Sequence, residues 1–127
     1  MILLDSHIVL ITLGFVDIVL SPAVRRELAQ PDGMYVSVAS VWEIAIKYRL
    51  GKLGLSVSPA YIPDLLRRLN IEVLPVSAHH ATIAVGPEPT TKDPFDRLLL
   101  GVCAAEGMRL LTLDRELVTH PLAWRGN

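Results

Sequence analysis

The sequence predicts an α/β domain built on a mostly parallel sheet. Short apolar runs alternate with helical stretches along the whole chain. Two of those runs, Leu3-Leu4 and Leu111-Thr112-Leu113, stop abruptly at Asp5 and Asp114, as buried parallel strands do at their carboxyl ends. Cap residues and Ser-Pro or Asp-Pro pairs open several of the intervening segments.

Taken in order, Ile2-Leu3-Leu4 reads as the first strand. Ile8 to Val19 reads as helical with a break near Gly14, and Ser21-Pro22 opens a second helix through about Ala29. Pro31-Asp32-Gly33 is a turn signal, and Met34 to Val38 reads as the second strand. Ser40 is expected to cap a helix running to about Leu50 and closed by Gly51. On its wheel Val41, Ile44, Ala45 and Tyr48 share one face, while Glu43 and Lys47 share another. Tyr61 to Leu69 is amphipathic, with Pro63 tolerated in its first turn, and Ile71 to Val76 reads as the third strand. Ser77 to Val85 is a short helix and Pro87 to Lys92 a loop. Asp93 caps a helix with Pro94 at its first position, continuing to about Glu106 and stopped by Gly107. Met108 to Leu113 is the fourth strand.

The chain has 127 residues, suited to one domain over 1–127, with no repeat or low-complexity boundary. Hydrophobic residues make up 51%, enough for a packed core and against disorder. Twelve Lys and Arg against thirteen Asp and Glu exclude a protein held to nucleic acid by bulk positive charge, though not a locally basic groove. One cysteine, Cys103, excludes an internal disulfide and a Cys-rich zinc module, and its apolar neighbours mark it as a small buried hydrophobe. Asp5, His7 and Asp17 interrupt the apolar N-terminus, and no Lys or Arg precedes it, so neither a signal peptide nor a spanning helix is expected. A soluble cytoplasmic protein without membrane contact is the expectation.

The chemistry concentrates in acids. Ligands of open α/β sheets collect outside the carboxyl ends of the strands, where Asp5 and Asp114 can face each other. Asp96 falls in the first turn of its helix, favoured by free N–H groups and the helix dipole. Glu43, expected in the first turn after the second strand, can point at the same rim. Four carboxylates in one cleft raise one another's pKa unless a cation offsets them. Oxygen-only ligands suit Mg²⁺ or Mn²⁺, which can activate a water for phosphodiester hydrolysis. Each acid also has a plainer role available: Asp5 and Asp114 as strand-end turn residues, Glu43 as the surface partner of Lys47, and Asp96 as a dipole-complementing acid. Asp93 is read as a cap that positions Asp96, and Thr112 as a second positioning residue.

Lys47, Arg49, Lys52 and Arg97 lie nearest the expected rim and are candidates for phosphate contacts, with Ser6 beside them. Arg67 and Arg68 read as a solvated helix edge. His7, His79, His80 and His120 have no metal-ligand spacing, and His7 is read as structural. Gly51-Lys52 lacks the preceding glycine and following hydroxyl of a nucleotide P-loop.

Leu3-Leu4-Asp5-Ser6-His7, Ser37-Val38-Ala39-Ser40-Val41-Trp42-Glu43-Ile44-Ala45-Ile46-Lys47, Gly51-Lys52-Leu53, Asp93-Pro94-Phe95-Asp96-Arg97 and Leu111-Thr112-Leu113-Asp114 resemble the PIN-domain toxins of the VapC type. The resemblance runs from Ile2 to about Trp124. It implies a PIN-like three-layer α/β/α sandwich with four or five central strands. It also implies a Mg²⁺- or Mn²⁺-dependent endoribonuclease, the toxin of a type II toxin–antitoxin pair, acting on RNA. A homodimer is implied as well, together with a cognate VapB-like antitoxin covering the acidic site. Asp5, Glu43, Asp96 and Asp114 match the acidic centre of the family, with Asp5 and Asp96 as principal metal ligands. Ser6 stands where many relatives have Thr, and the aromatic residue often found soon after the first His is absent from Ile8-Val9-Leu10-Ile11. Thr90-Thr91-Lys92 replaces the more usual His-Arg pairing before Asp93.

Two other classes share the pattern. A receiver-like phosphoacceptor domain would need an acidic pair after the first strand and an Asp ending a middle strand. Asp5 stands alone, and Ile71 to Val76 ends without an acid. A catalytically degenerate PIN binding module would not need the complete acidic set.

Overall fold

The computed structural model describes residues 1–30 and 32–126. Four short strands, β1 (Ile2–Leu4), β2 (Met34–Ser37), β3 (Glu72–Leu74) and β4 (Arg109–Leu111), form an all-parallel sheet in the order β3-β2-β1-β4. Helices α1 (Ser6–Thr12) and α2 (Pro22–Leu28) join β1 to β2. A 3₁₀ turn (Pro59–Tyr61) lies between α3 (Val38–Arg49) and α4 (Ile62–Arg68) on the way to β3, and α5 (Ala78–Thr82) and α6 (Pro94–Glu106) lead to β4.

Strand alternation divides the core. Ile2 and Leu4 of β1 face a cluster containing Ile8, Val9, Val24, Ile44, Ile62 and Leu66. Leu3, between them, faces the opposite cluster around Leu99, Leu100, Val102, Cys103 and Leu110. Helices therefore cover both faces of the sheet, giving the three-layer α/β/α architecture. Leu110 also forms a single parallel bridge to Ala123. Among the described residues the sheet thus has four strands, with an isolated bridge where a fifth would lie.

Local chemistry explains where the elements begin and end, and corrects several expected boundaries. The first helix starts at Ser6 with Asp5 as its cap, Asp5 Oδ1 accepting from the Ile8 N–H at 2.9 Å. It ends at Thr12, before Gly14 at φ 81°, and the chain to Leu20 is not helical despite its apolar content. Ser37, not Ser40, caps α3 by accepting from the Ala39 N–H, because β2 runs out one residue earlier than its apolarity suggested. Ser40 is buried within the first turn. The expected Tyr61–Leu69 and Ser77–Val85 helices shorten to Ile62–Arg68 and Ala78–Thr82. Strand three contracts to Glu72–Leu74, ahead of Pro75, and strand four to Arg109–Leu111. Of the expected turn at Pro31-Asp32-Gly33, Pro31 lies outside the described residues, and Gly33 has φ 83°. The α6 boundaries match expectation at both ends: Asp93 caps it and Gly107 closes it at φ 70°.

The chain steps outward from β1 to β2 and β3, then returns to place β4 on the other side of β1. The strand order reverses between β1 and β4, and there the connections leaving their carboxyl ends part to opposite sides. A crevice at that point follows from topology alone.

Candidate active site

The crevice outside β1 and β4 is lined by Asp5, Ser6, His7, Glu43, Lys47, Asp93, Asp96, Leu113 and Asp114. All four acids expected from the sequence meet there, contributed by four separate parts of the chain.

Asp5 leaves β1 with its backbone N–H bonded to the Leu111 carbonyl of β4, which fixes it at the switch between the two strands. It is 7% exposed. Burial raises its pKa above the usual carboxylate range, a hydrogen bond from the Thr112 side chain pulls it down, and the Ile8 N–H and the nearby His7 add to that pull. The charge of Glu43 pushes up again.

Glu43 lies in the second turn of α3, one turn further along than expected, because the helix starts at Val38. It is 8% exposed. The Ser6 hydroxyl donates to its Oε1 at 2.5 Å, and Lys47 Nζ lies 3.4 Å from its Oε2. The expected Glu43–Lys47 pair is thus real, but it faces the crevice rather than open solvent.

Asp96 occupies the first turn of α6. Burial, followed by the charge of Asp93, raises its pKa to about 6; Thr91 lowers it, while Asp114 and Glu43 add smaller upward shifts. Asp93 accepts from the Phe95 N–H at 2.8 Å, the capping role expected of it, and also borders the crevice. Asp114 follows β4 by three residues. Its N–H bonds to Thr112 Oγ1 at 3.0 Å, and its own Oδ1 accepts from the Glu116 N–H at 2.8 Å. Thr112 is therefore placed to orient Asp114 and contact Asp5 together.

The basic candidates separate. Lys47 lines the crevice, whereas Arg49 and Lys52 are exposed beyond its lining. Arg97 is held elsewhere, its Nε donating to Glu88 at 2.8 Å and its Nη2 to the Ile83 carbonyl at 3.1 Å. Ser6, expected as a substrate contact, is turned to Glu43. His7, read as structural, is exposed and borders the crevice. His80 and His120 are buried and bonded within the fold, His80 to Ser77 and Glu106, His120 to Pro87 and Leu122.

Sequence reasoning missed Thr91, which is 9% exposed and donates to Asp96 Oδ2 at 3.1 Å. It also missed the edge-on pair of Trp42 and Phe95, centroids 5.4 Å apart, which ties α3 to α6 beside Glu43 and Asp96. The adjacency of each aromatic to an acid, Trp42-Glu43 and Phe95-Asp96, was the available signal.

Among the described residues, no three acidic, histidine or cysteine side chains are drawn together closely enough to clasp an ion as they stand. Each carboxylate is instead held by its own donor: Ile8 for Asp5, Ser6 and Lys47 for Glu43, Thr91 for Asp96, Glu116 for Asp114. Mutual repulsion keeps uncompensated carboxylates apart. The donor set, all oxygen and all acidic, suits a hard divalent cation. No helix among the described residues is long and apolar enough to cross a membrane.

The PIN domain family model matches residues 2–120. Ribonuclease VapC16 of Mycobacterium tuberculosis (strain ATCC 25618 / H37Rv) is 44% identical over 62 residues, which is 47% of this chain and 44% of that protein. The chain spans less than half the length of the relative in that match.

Proposed function

The chain belongs to the PIN domain family, and on that premise we propose that it is a metal-dependent endoribonuclease, the toxin of a type II toxin–antitoxin pair. The observation that carries this reading is the meeting of Asp5, Glu43, Asp96 and Asp114 around one crevice at the strand-order reversal. Asp5 and Asp96 both have a raised pKa, first through burial, and perturbed acids gathered in one crevice are characteristic of functional sites. The relative's name, a ribonuclease, points the same way.

Asp5 and Asp96 would be the principal ligands of Mg²⁺ or Mn²⁺, with Glu43 and Asp114 completing the set. Such an ion supplies an activated water and offsets charge on a phosphodiester. The remaining work belongs to the chain. Ser6 aims Glu43, Thr112 orients Asp114, and the Asp93 cap fixes the first turn that carries Asp96. Lys47 brings the one basic side chain of the crevice lining other than His7, suited to a phosphate oxygen. A single domain over 1–127 in the cytoplasm fits this reading. So do a VapB-like antitoxin covering the acidic crevice and a homodimer. Val38 and Trp42, one turn apart on α3 and 43% and 57% exposed, are apolar surface of the kind a partner covers.

The test is to map new RNA ends after induction of the chain and of its Asp5→Asn variant. Asn keeps the cap of α1 and removes the charge. New ends that appear only with the unaltered chain are expected; the same ends from both would overturn the reading.

A further inference from the structure

Thr91 lies in the segment before α6, in neither helix nor strand, yet it is nearly buried. Its hydroxyl oxygen accepts from the Asp93 N–H at 3.2 Å and donates its proton to Asp96 Oδ2 at 3.1 Å. One oxygen thus joins the residue that caps α6 to the carboxylate one turn inside it. Among the described residues the Asp96 carboxylate has no second hydrogen bond, so Oδ2 is engaged and Oδ1 is not.

We infer that Thr91 is a positioning residue for a cation in the crevice, fixing Asp96 as a one-oxygen ligand and so favouring small octahedral ions over Ca²⁺. The inference rests on the acidic crevice being a cation site, as proposed above. Its physical basis is the difference in coordination habits. Mg²⁺ demands near-ideal octahedral geometry and retains waters, which single carboxylate oxygens allow. Ca²⁺ is larger, takes six to eight oxygens and readily accepts both oxygens of one carboxylate. A hydroxyl clamped on Oδ2 hinders that two-oxygen grip. The bond from the Asp93 N–H and the burial of Thr91 itself hold the clamp in place, because a Thr91 hydroxyl swung away would lose both hydrogen bonds in a site with little room for another partner.

The experiment is direct binding of Mn²⁺ to the full chain without RNA, followed by competition with Ca²⁺. Thr91→Val removes the hydroxyl at nearly constant shape. It is expected to weaken Mn²⁺ binding by about tenfold, the scale on which residues that orient metal ligands act, and to lower the Ca²⁺ excess needed for displacement. Thr91→Ser keeps the hydroxyl and should restore both values. In an Asp96→Ala background, Thr91→Val should add nothing, since no carboxylate remains to be aimed. A change in the Mn²⁺-to-Ca²⁺ ratio is not what a merely loosened loop would produce, and melting curves for each variant register loosening separately. Unchanged Mn²⁺ and Ca²⁺ binding in Thr91→Val would overturn the inference, as would an undiminished effect in the Asp96→Ala background. A parent chain that binds no Mn²⁺ would overturn the cation site together with it. Binding that follows the expected pattern in a chain that leaves RNA intact would support the inference and defeat the ribonuclease reading alone.

Discussion

The Ser6 hydroxyl donates to Glu43 Oε1 at 2.5 Å, joining residues 37 positions apart in sequence. It links the first residue of α1 to the second turn of α3 across the crevice mouth. Charge-assisted O–H···O⁻ bonds of this length are among the stronger ones, and this one leaves Glu43 a single orientation with Lys47 on its other oxygen.

Ser6→Ala should therefore reduce RNA cleavage by about 10- to 100-fold, since Glu43 loses its aim while keeping its charge. Ser6→Thr should cut RNA nearly as the parent does. Single-turnover cleavage of all three chains decides it; full activity in Ser6→Ala would show that Glu43 needs no such support.

For Asp96 the sign of the pH dependence is fixed by its raised pKa. The folded chain holds this proton up to about pH 6, whereas the unfolded chain releases it near 3.8, the ordinary value for an aspartate. The resulting stabilisation is complete below pH 3.8 and is lost as pH rises through about 6. Metal-free Asp96→Asn should then melt higher than the parent at pH 8, with the gap narrowing towards pH 5. Melting curves across that range test it, and a gap that widens on acidification would contradict the buried-charge account. The same variant should lose RNA cleavage, while Asp93→Asn, which still caps α6, should keep most of it.

EDTA should abolish RNA cleavage, and Mg²⁺ or Mn²⁺ should return it. A saturating ion should also raise the melting temperature, because a ligand at one hundred times its Kd stabilises the folded state by about 2.7 kcal/mol. Undiminished cleavage in metal-free buffer would remove the case for the carboxylates as ligands.

Gly101 sits where α6 meets α5, and a side chain there would run into the His80 carbonyl oxygen. Alanine ordinarily stabilises a helix interior by about 1 kcal/mol relative to glycine. Here overpacking should reverse the sign, and Gly101→Ala should destabilise by about 1–3 kcal/mol. Denaturant midpoints give the answer, and a more stable variant would mean the two helices slide apart freely.

Light scattering at micromolar concentration should return about twice the 14.0 kDa chain mass. A strictly monomeric mass would reject the homodimer and leave Val38 and Trp42 to other partners.

How much of this was legible depended on the range of the interaction. The α6 boundaries could be read from sequence because cap, proline and left-handed glycine act within a few residues. The start of α3 could not, since Ser37 and Ser40 are equally good caps and only the pairing of β2 with its neighbours decides between them. Met108 and Leu113 are as apolar as the strand they flank, so apolarity overstated β4; the chain leaves the sheet where Thr112 turns to bind the Asp114 N–H. The four acids were legible as residues at strand ends and helix starts. Their supports were not: Ser6 to Glu43, Thr91 to Asp96 and the diversion of Arg97 to Glu88 are tertiary contacts without a local signature.

Asp5 follows β1 directly, caps α1 and walls the crevice at once. Folding alone therefore gives reason to keep Asp or Asn here, even in a lineage that has abandoned the chemistry. An aspartate at this place in a related chain is accordingly poor testimony to activity. The hydroxyl–carboxylate couple of Ser6 and Glu43 is better testimony, because neither side chain caps a helix: Asp5 caps α1 and Ser37 caps α3. On the proposed reading, loss of that couple in a related chain would mark one that keeps its shape without cutting RNA.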